Sequence, residues 1–267
     1  MDLNIIVSQN SNNIDEDLLQ RNIKTAVTWG YSTVALNTIV DFKIIKKPTE
    51  IPKPIQFVEV KKDNESVRVL TRLTAIVSTE IHCHYLMHSN VVKLYDILSV
   101  QPENEKMFKY ILNNMNIDII SLNLEMLPFL IKKNHIKQAA NKGMHFEIEY
   151  SQLLRNRLCR VWTIAKGRNL VSNGCKKNLI VSSGAKNAMD IRQPEEVSRL
   201  CLLFGLTIQQ GRDTVFTNSQ KVIEHAYIRR KPGSEVISIE DVGEISESER
   251  WLLGACSFPK RFKINTL

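Results

Sequence analysis

His82-Cys83-His84, with His88 one turn further on, is the stretch of the chain best stocked with metal-binding groups. On a helix, His84 and His88 share one face and are spaced to hold a zinc-like ion between them. His82 and His84 do not share that face, so a third ligand from this segment needs a bend in the backbone. Glu80 lies just before it, and no carboxylate follows at metal-site spacing. Histidines half-buried on a short helix account for the same residues without any metal.

A second constellation lies on His145-Phe146-Glu147-Ile148-Glu149-Tyr150. Strand alternation puts His145, Glu147 and Glu149 on one face and Phe146, Ile148 and Tyr150 on the other. In a closed barrel the apolar set meets outer helices. The polar set points into the lumen, where a charge needs a partner. Arg72, within Thr71-Arg72-Leu73-Thr74, is the nearest strand-borne cation in the pattern and the expected partner of Glu147. That pairing reads as structural; paired lumen carboxylates are also the material of a metal or acid–base site.

Ser182-Ser183-Gly184-Ala185 ends a strand where barrel enzymes place phosphate loops, and its small residues suit an anion nest. A tight turn explains Ser183-Gly184 equally well. The chain contains no Gly-x-Ser-x-Gly elbow, no Walker lysine and no Gly-x-Gly-x-x-Gly. These absences argue against a serine hydrolase, a nucleotide triphosphatase and a dinucleotide enzyme.

The positive charge is more informative in sum than residue by residue. With 36 Lys and Arg against 28 Asp and Glu, the formal charge is +8 and the pI about 9.2. An acidic partner suits that balance, nucleic acid foremost; mild basicity for solubility is the bland alternative. Lys132-Lys133, Lys166-Gly167-Arg168, Lys176-Lys177, Lys186 and Arg192 gather near strand–helix junctions, as phosphate contacts would. Aromatic residues make up 7% and form no RRM-like ribbon, which points to structured RNA backbone over stacked single-stranded bases. Cys83, Cys159, Cys175, Cys201 and Cys256 form no Cys-x-x-Cys pair and read as reduced thiols. With no apolar run of membrane length and no signal-peptide pattern, an intracellular protein without membrane contact is expected.

The elements that must carry these residues alternate along the chain. Residues 3–7, 33–40, 69–77, 94–100, 117–124, 145–150 and 178–182 read as strands. Helical patterns lie between them at 103–115, 136–141, a pair across 152–172, and 195–204 with Pro194 in its first turn. In the first helix Leu18, Leu19, Ile23, Ala26 and Val27 recur at helical spacing, and Gly30 ends it. Asn12 or Asn13 is its expected cap, and Asp15, Glu16 and Asp17 suit its first turn. Seven or eight strand–helix units favour an α/β TIM-barrel-like fold with outer helices, complete or incomplete; a doubly wound open sheet is the alternative. The barrel domain is expected over residues 1–230. Residues 44–66 carry Pro48, Pro52 and Pro54 among lysines and read as a long basic loop. Residues 231–267 read as a C-terminal extension, flexible or ordered by a partner.

Gly30-Tyr31-Ser32-Thr33-Val34-Ala35-Leu36-Asn37, followed by Ile39-Val40-Asp41-Phe42-Lys43, resembles the family of the 30-kilodalton protein subunit of ribonuclease P. The resemblance continues in order through Leu70-Thr71-Arg72-Leu73-Thr74, Leu94-Tyr95-Asp96 and Ile117-Asp118-Ile119-Ile120. Phe146-Glu147-Ile148-Glu149-Tyr150, Ile180-Val181-Ser182-Ser183 and Asp190-Ile191-Arg192-Gln193-Pro194-Glu195-Glu196-Val197 extend it. Leu203-Phe204-Gly205-Leu206 and Thr217-Asn218 close it, so most of the chain to about His225 is covered.

The resemblance implies a TIM-like barrel within ribonuclease P and the related ribonuclease MRP, particles whose RNA performs the cleavage. Ribonuclease P removes the 5′ leader of precursor tRNA, and ribonuclease MRP acts in rRNA processing. It further implies a nuclear and nucleolar home. Its implied partners are both RNAs, precursor tRNA through the complex, a small ferredoxin-like protein subunit and other protein subunits. The RNA needs magnesium; no cofactor is expected on this chain. The barrel is also similar in outline to the polymerase and histidinol phosphatase superfamily, which expects His-x-His at the end of the first strand. Here Asn4-Ile5-Ile6-Val7-Ser8 fills that place, and His82 and His84 follow a later strand. The expectation is therefore a noncatalytic subunit without catalytic or metal-binding residues. Lys43, Arg72, Lys166, Arg168, Lys176, Lys177 and Arg192 are expected to meet RNA or organise its contact face. Asn37 and Glu147 are assigned to the barrel lumen. A stand-alone metallo-phosphoesterase and a purely protein-binding scaffold are the competing readings.

Overall fold

Every expected strand is present, and each is followed by a connection that returns the chain to the same end of the sheet. A computed structural model describes residues 1–7, 9–10, 13–44, 50–55, 60–62, 65–124, 128–155 and 157–230. Strand β1 (Asp2–Ile6) leads through a short antiparallel pair, β2 (Gln9–Asn10) and β3 (Asn13–Ile14), into helix α1 (Glu16–Thr28). Then come β4 (Thr33–Asp41), β5 (Val60–Lys62), β6 (Glu65–Val77), α2 (Glu80–His88), β7 (Ile97–Pro102) and α3 (Glu105–Asn114). The series continues with β8 (Ile119–Ser121), α4 (Lys133–Asn141), β9 (His145–Glu149), α5 (Ser151–Arg155), α6 (Arg157–Ser172) and β10 (Leu179–Ser182). Three helices end it: α7 (Pro194–Leu200), α8 (Ile208–Val215) and α9 (Thr217–Arg230), with a 3₁₀ turn at Cys201–Phe204 after α7.

Strands β1, β4, β6, β7, β8, β9 and β10 are parallel neighbours in that order. The two ends of the sheet meet just past β10. Ile5 bridges Ala185, with the Ile6 amide donating to the Ala185 carbonyl at 2.9 Å and the Ala185 amide to the Asn4 carbonyl at 3.3 Å. The result is a nearly closed TIM-like barrel of seven parallel strands, and the open doubly wound alternative falls. Because all seven run the same way, the barrel has a mouth at the strand C-termini and a base at their N-termini.

Helix α1 shows why the outer layer forms. Asp15 caps it, its carboxylate accepting the Leu18 amide at 3.0 Å, and Glu16 and Asp17 meet the positive end of its dipole. Leu19, Ile23, Ala26 and Val27 are buried against the sheet. The expected cap at Asn12 or Asn13 is wrong: Asn13 lies in β3, and Asn12 lies outside the described residues. Phe146, Ile148 and Tyr150 turn outward into the main core beneath the helices, as strand alternation requires.

Two expectations about connections change. The 44–66 segment is not wholly irregular, since β5 pairs antiparallel with the start of β6 through Val60–Val67 and Lys62–Glu65. Residues 45–49, 56–59 and 63–64 within it lie outside the described residues, as do residues 231–267 of the expected extension. Helices α8 and α9 were not expected from periodicity. Thr207 caps α8 in a reciprocal pair with Gln210, but the buried positions of both helices are mostly small or polar.

Candidate functional site

Arg72 lies at the centre of the lumen, wholly buried, with all five of its N–H donors engaged. Its two terminal nitrogens donate to the two Glu147 oxygens at 2.6 and 2.5 Å. The remaining donors reach the Leu3 carbonyl at 2.8 Å, Ser99 Oγ at 3.1 Å and Thr74 Oγ1 at 3.1 Å. Burial alone would push the Glu147 carboxyl up. The adjacent guanidinium and hydrogen bonds from Arg72, Ser182 and Ser121 outweigh burial and hold it below the usual carboxylate range. A buried pair this well satisfied is a specified packing element, not a free acid.

The network climbs from there toward the mouth. Asn4 Nδ2 donates to Glu147 Oε1 at 3.3 Å and to Glu149 Oε1 at 3.1 Å. Asn37 Nδ2 donates to Asn4 Oδ1 at 2.7 Å, and Thr74 Oγ1 donates to Asn37 Oδ1 at 2.8 Å. Asn37 and Glu147 thus stand together in the lumen, with Arg72 as the cation that neutralises Glu147. Glu149, half-buried above them, also accepts Gln152 Nε2 at 3.1 Å. Burial first and the Glu147 charge second raise its carboxyl above the usual range. Gly184 is required beside it: its φ is +58°, and a Cβ there would stand 3.0 Å from the Glu149 carboxyl.

The lower lumen is apolar and has a floor. Leu3, Ala35, Leu70, Ile97, Ile119 and Ile180 form one cluster with Val222, Ile223 and Ala226 of α9, which crosses the base of the barrel. Polar anchors fix that helix. Asp118 receives His225 Nδ1 at 2.7 Å and Arg229 Nη2 at 2.9 Å, and Arg230 Nη1 reaches Asp96 at 2.7 Å. Gly143, at φ +74°, leaves room for the His225 ring, which a Cβ would approach to 2.6 Å. His145 is buried beside this group, and burial lowers its imidazole to about 4, so it is neutral in the folded protein.

Other candidates do not assemble into a reactive centre. The rings of His84 and His88 lie 4.2 Å apart, while His82 stacks on Phe42 and accepts the Ser78 amide at 3.4 Å. Burial lifts the Cys83 thiol to about 12. Among the described residues, no group of three or more His, Cys, Asp or Glu could hold a metal ion. The Ser182–Ala185 turn is not an open anion nest either. The Ser183 amide donates to Asp2 Oδ1 at 3.1 Å, and the Ala185 amide is spent on barrel closure. At the mouth, a polar cavity of about 440 Å³ is lined by Lys43, Gln101, Glu103, Asn104 and Asn123, with Lys43 Nζ 2.6 Å from Glu103.

The cations expected to meet RNA are dispersed. Lys43 is at the mouth, Lys176 and Lys177 are exposed at the base before β10, and Arg168 is exposed on α6. Lys166, also on α6, sits 5.3 Å from the Trp162 ring centroid. Arg192 is half-buried in the outer layer, its backbone held between the Tyr31 and Tyr150 hydroxyls at 2.9 Å each. Arg72 has to be withdrawn from the RNA-contacting set, because a fully buried guanidinium with every donor engaged cannot reach a phosphate.

Comparison with known proteins agrees with this architecture. A chain from the cryo-EM structure of archaeal ribonuclease P with mature tRNA superposes with a TM-score of 0.63 at 15% identity, covering 91% of this chain and all of that one. At that identity the match speaks for the fold. The ribonuclease P protein subunit p30 of Mus musculus is 36% identical over 247 residues, 89% of this chain and 91% of that protein. The ribonuclease P protein subunit drpp30 of Dictyostelium discoideum is 30% identical over 258 residues, 90% of this chain and 70% of that protein. The family RNase P subunit p30 matches residues 1–231. With the fold, the order of motifs and the family match in agreement across the whole barrel, the chain belongs to the RNase P subunit p30 family.

Proposed function

We propose that this chain is a noncatalytic protein subunit of ribonuclease P, supporting RNA-catalysed removal of the 5′ leader from precursor tRNA. The family match over residues 1–231 carries this reading. The lumen fits it: its central carboxylate is committed to Arg72 through both oxygens, so the barrel invests its polar residues in holding shape. The metallo-phosphoesterase alternative is not favoured, because the first strand presents Asn4 to a hydrogen-bond network where that superfamily needs metal-binding histidines.

The finer reading extends to partners and place. The chain binds the RNA of ribonuclease P, and by the same surface that of ribonuclease MRP, in the nucleus and nucleolus. A small ferredoxin-like subunit is its neighbour in the particle. Lys43, Lys176, Lys177 and Arg192 supply phosphate contacts. The chain itself needs no cofactor; magnesium serves the RNA. Purifying the full chain from cells and assaying the eluate on precursor tRNA tests the core of this reading. Co-purifying RNA with leader-removing activity is the expected result. Stoichiometric zinc or manganese with phosphatase turnover by the chain alone would overturn it.

A further inference from the structure

Between Glu149 and Asp190 the chain contains eight Lys or Arg residues and no acidic one. Helix α6 lies within that stretch. Its inner face, with Cys159, Thr163, Gly167, Leu170 and Val171, is buried. Gly167 lets the Phe204 ring of the 3₁₀ turn pack directly on the helix, where a Cβ would come within 2.6 Å of it.

The outer face mixes exposed arginines with large apolar side chains, where an amphipathic helix shows water a mainly polar surface. Leu158, Val161 and Trp162, at i, i+3 and i+4, are 70%, 56% and 51% exposed. The adjoining 3₁₀ turn adds Leu202 and Leu203, at 46% and 45%. Single exposed apolar residues need no explanation, but grouped ones mark interaction sites. Arg157, Arg160 and Arg168 are exposed around this face, Lys166 leans over Trp162, and Arg160 is steadied by its Nε donating to the Leu153 carbonyl at 2.8 Å.

We propose that this α6 face docks an acidic partner protein, an apolar ridge seating on Leu158, Val161 and Trp162 while flanking carboxylates meet the arginines. The proposal rests on the reading of the chain as one subunit of a larger particle. Charge sets the sign of the partner, since the whole stretch is cationic. The aliphatic side chains set its class. Phosphates would neutralise the arginines but leave Leu158 and Val161 in water, and a nucleobase could stack only on Trp162. An aromatic anchor amid aliphatic contacts with a charged rim is the anatomy of a protein interface. Lys166 and Arg168 thereby become rim residues of a protein contact.

The test uses the full chain in the assembled particle, with a photo-crosslinking amino acid at the position of Leu158 or, separately, of Trp162. The expected adduct is protein to protein, resistant to ribonuclease, and maps to a peptide with Asp or Glu beside apolar residues. An adduct to RNA, a peptide without acids, or no adduct would each overturn the docking face. As a second arm, Leu158→Asp with Val161→Asp should lower recovery of the other protein subunits at least tenfold. Circular dichroism and the salt dependence of RNA binding by the isolated chain should stay as in the unaltered protein. Equal loss of RNA affinity would overturn the proposal. If the unaltered chain recovers no ribonuclease P RNA, the functional reading fails and takes the proposal with it. RNA recovery without a protein adduct sinks the docking face alone.

Discussion

Arg72 on β6 and Glu147 on β9 join across the lumen by two parallel hydrogen bonds of 2.6 and 2.5 Å, with β7 and β8 standing between their strands in the sheet. The contact spans the barrel instead of following its wall. It sets the distance between strands that share no backbone hydrogen bond, and both groups are fully buried. Such a pair adds little over well-packed apolar residues, yet becomes costly when one partner is removed.

Arg72→Met should therefore destabilise the protein by about 3–5 kcal/mol, because Glu147 is left charged in a dry lumen. Arg72→Met with Glu147→Leu should be less destabilised than Arg72→Met alone. Urea unfolding of Arg72→Met, Glu147→Leu and the double variant measures this. A double variant as unstable as the sum of the two single changes would refute the coupling. RNA binding by the folded Arg72→Met fraction should keep its salt dependence.

Acid should weaken the fold through the buried His145. His145 is neutral when folded, its imidazole lowered to about 4, whereas in the unfolded chain it takes a proton near its ordinary value of about 6.5. The unfolded state therefore binds more protons between those values, and stability falls as the pH drops through that window. With a limiting slope of about 1.4 kcal/mol per pH unit, half reached at pH 6.5, the loss between pH 6.5 and pH 5 is ~1.5 kcal/mol. Unfolding midpoints at the two values, for the native chain and for His145→Gln, check it; an equally steep slope in the variant would refute the assignment.

The seven strands and the lumen pair were legible because each rests on a local signal. Period-two alternation put Glu147 inward, and Arg72 was the nearest strand-borne cation to neutralise it. The floor of the barrel was not legible. Helix α9 buries Asn218, Ser219 and Ala226 along with Val222 and Ile223, so its inner face looks too polar to be a core helix. Asn218 is satisfied by backbone far away in the chain, its Nδ2 donating to the Leu179 carbonyl at 2.7 Å, and Ser219 by the Thr214 carbonyl at 3.2 Å. Nor did sequence separate Arg72 from the surface cations. An arginine in a strand and one in a loop look alike until the barrel closes around one of them.

Truncating the α9 side chain that fills the base should cost more than its size suggests. Val222 is wholly buried, so Val222→Ala should destabilise by about 1–3 kcal/mol from the missing methyl groups plus the cavity left behind. Gln220→Ala, on the exposed side of the same helix, should stay within about 0.5 kcal/mol. Equal effects in thermal or urea unfolding would show that α9 does not seal the barrel.

Lys176→Ala with Lys177→Ala should reduce the salt slope of RNA binding by about one to two, at roughly 0.7–0.9 for each phosphate that is no longer neutralised. Affinity measured from about 50 to 300 mM potassium chloride gives the slope. An unchanged slope would remove the barrel base from the RNA surface and leave Lys43 and Arg192 to carry it.

The floor of the barrel also fixes the order in which the protein can finish folding. The Met1 amine donates to the Val215 carbonyl across 214 residues, and Arg229 reaches Asp118 across 111. A ribosome delivers the strands first and the seal last, so the nascent barrel waits with Leu70, Ile97, Ile119 and Ile180 uncovered until residue 230 has emerged. Chains stopped before Thr217 would present an apolar ring to chaperones and to one another. Completeness of synthesis is in this way built into the structure as a condition of solubility.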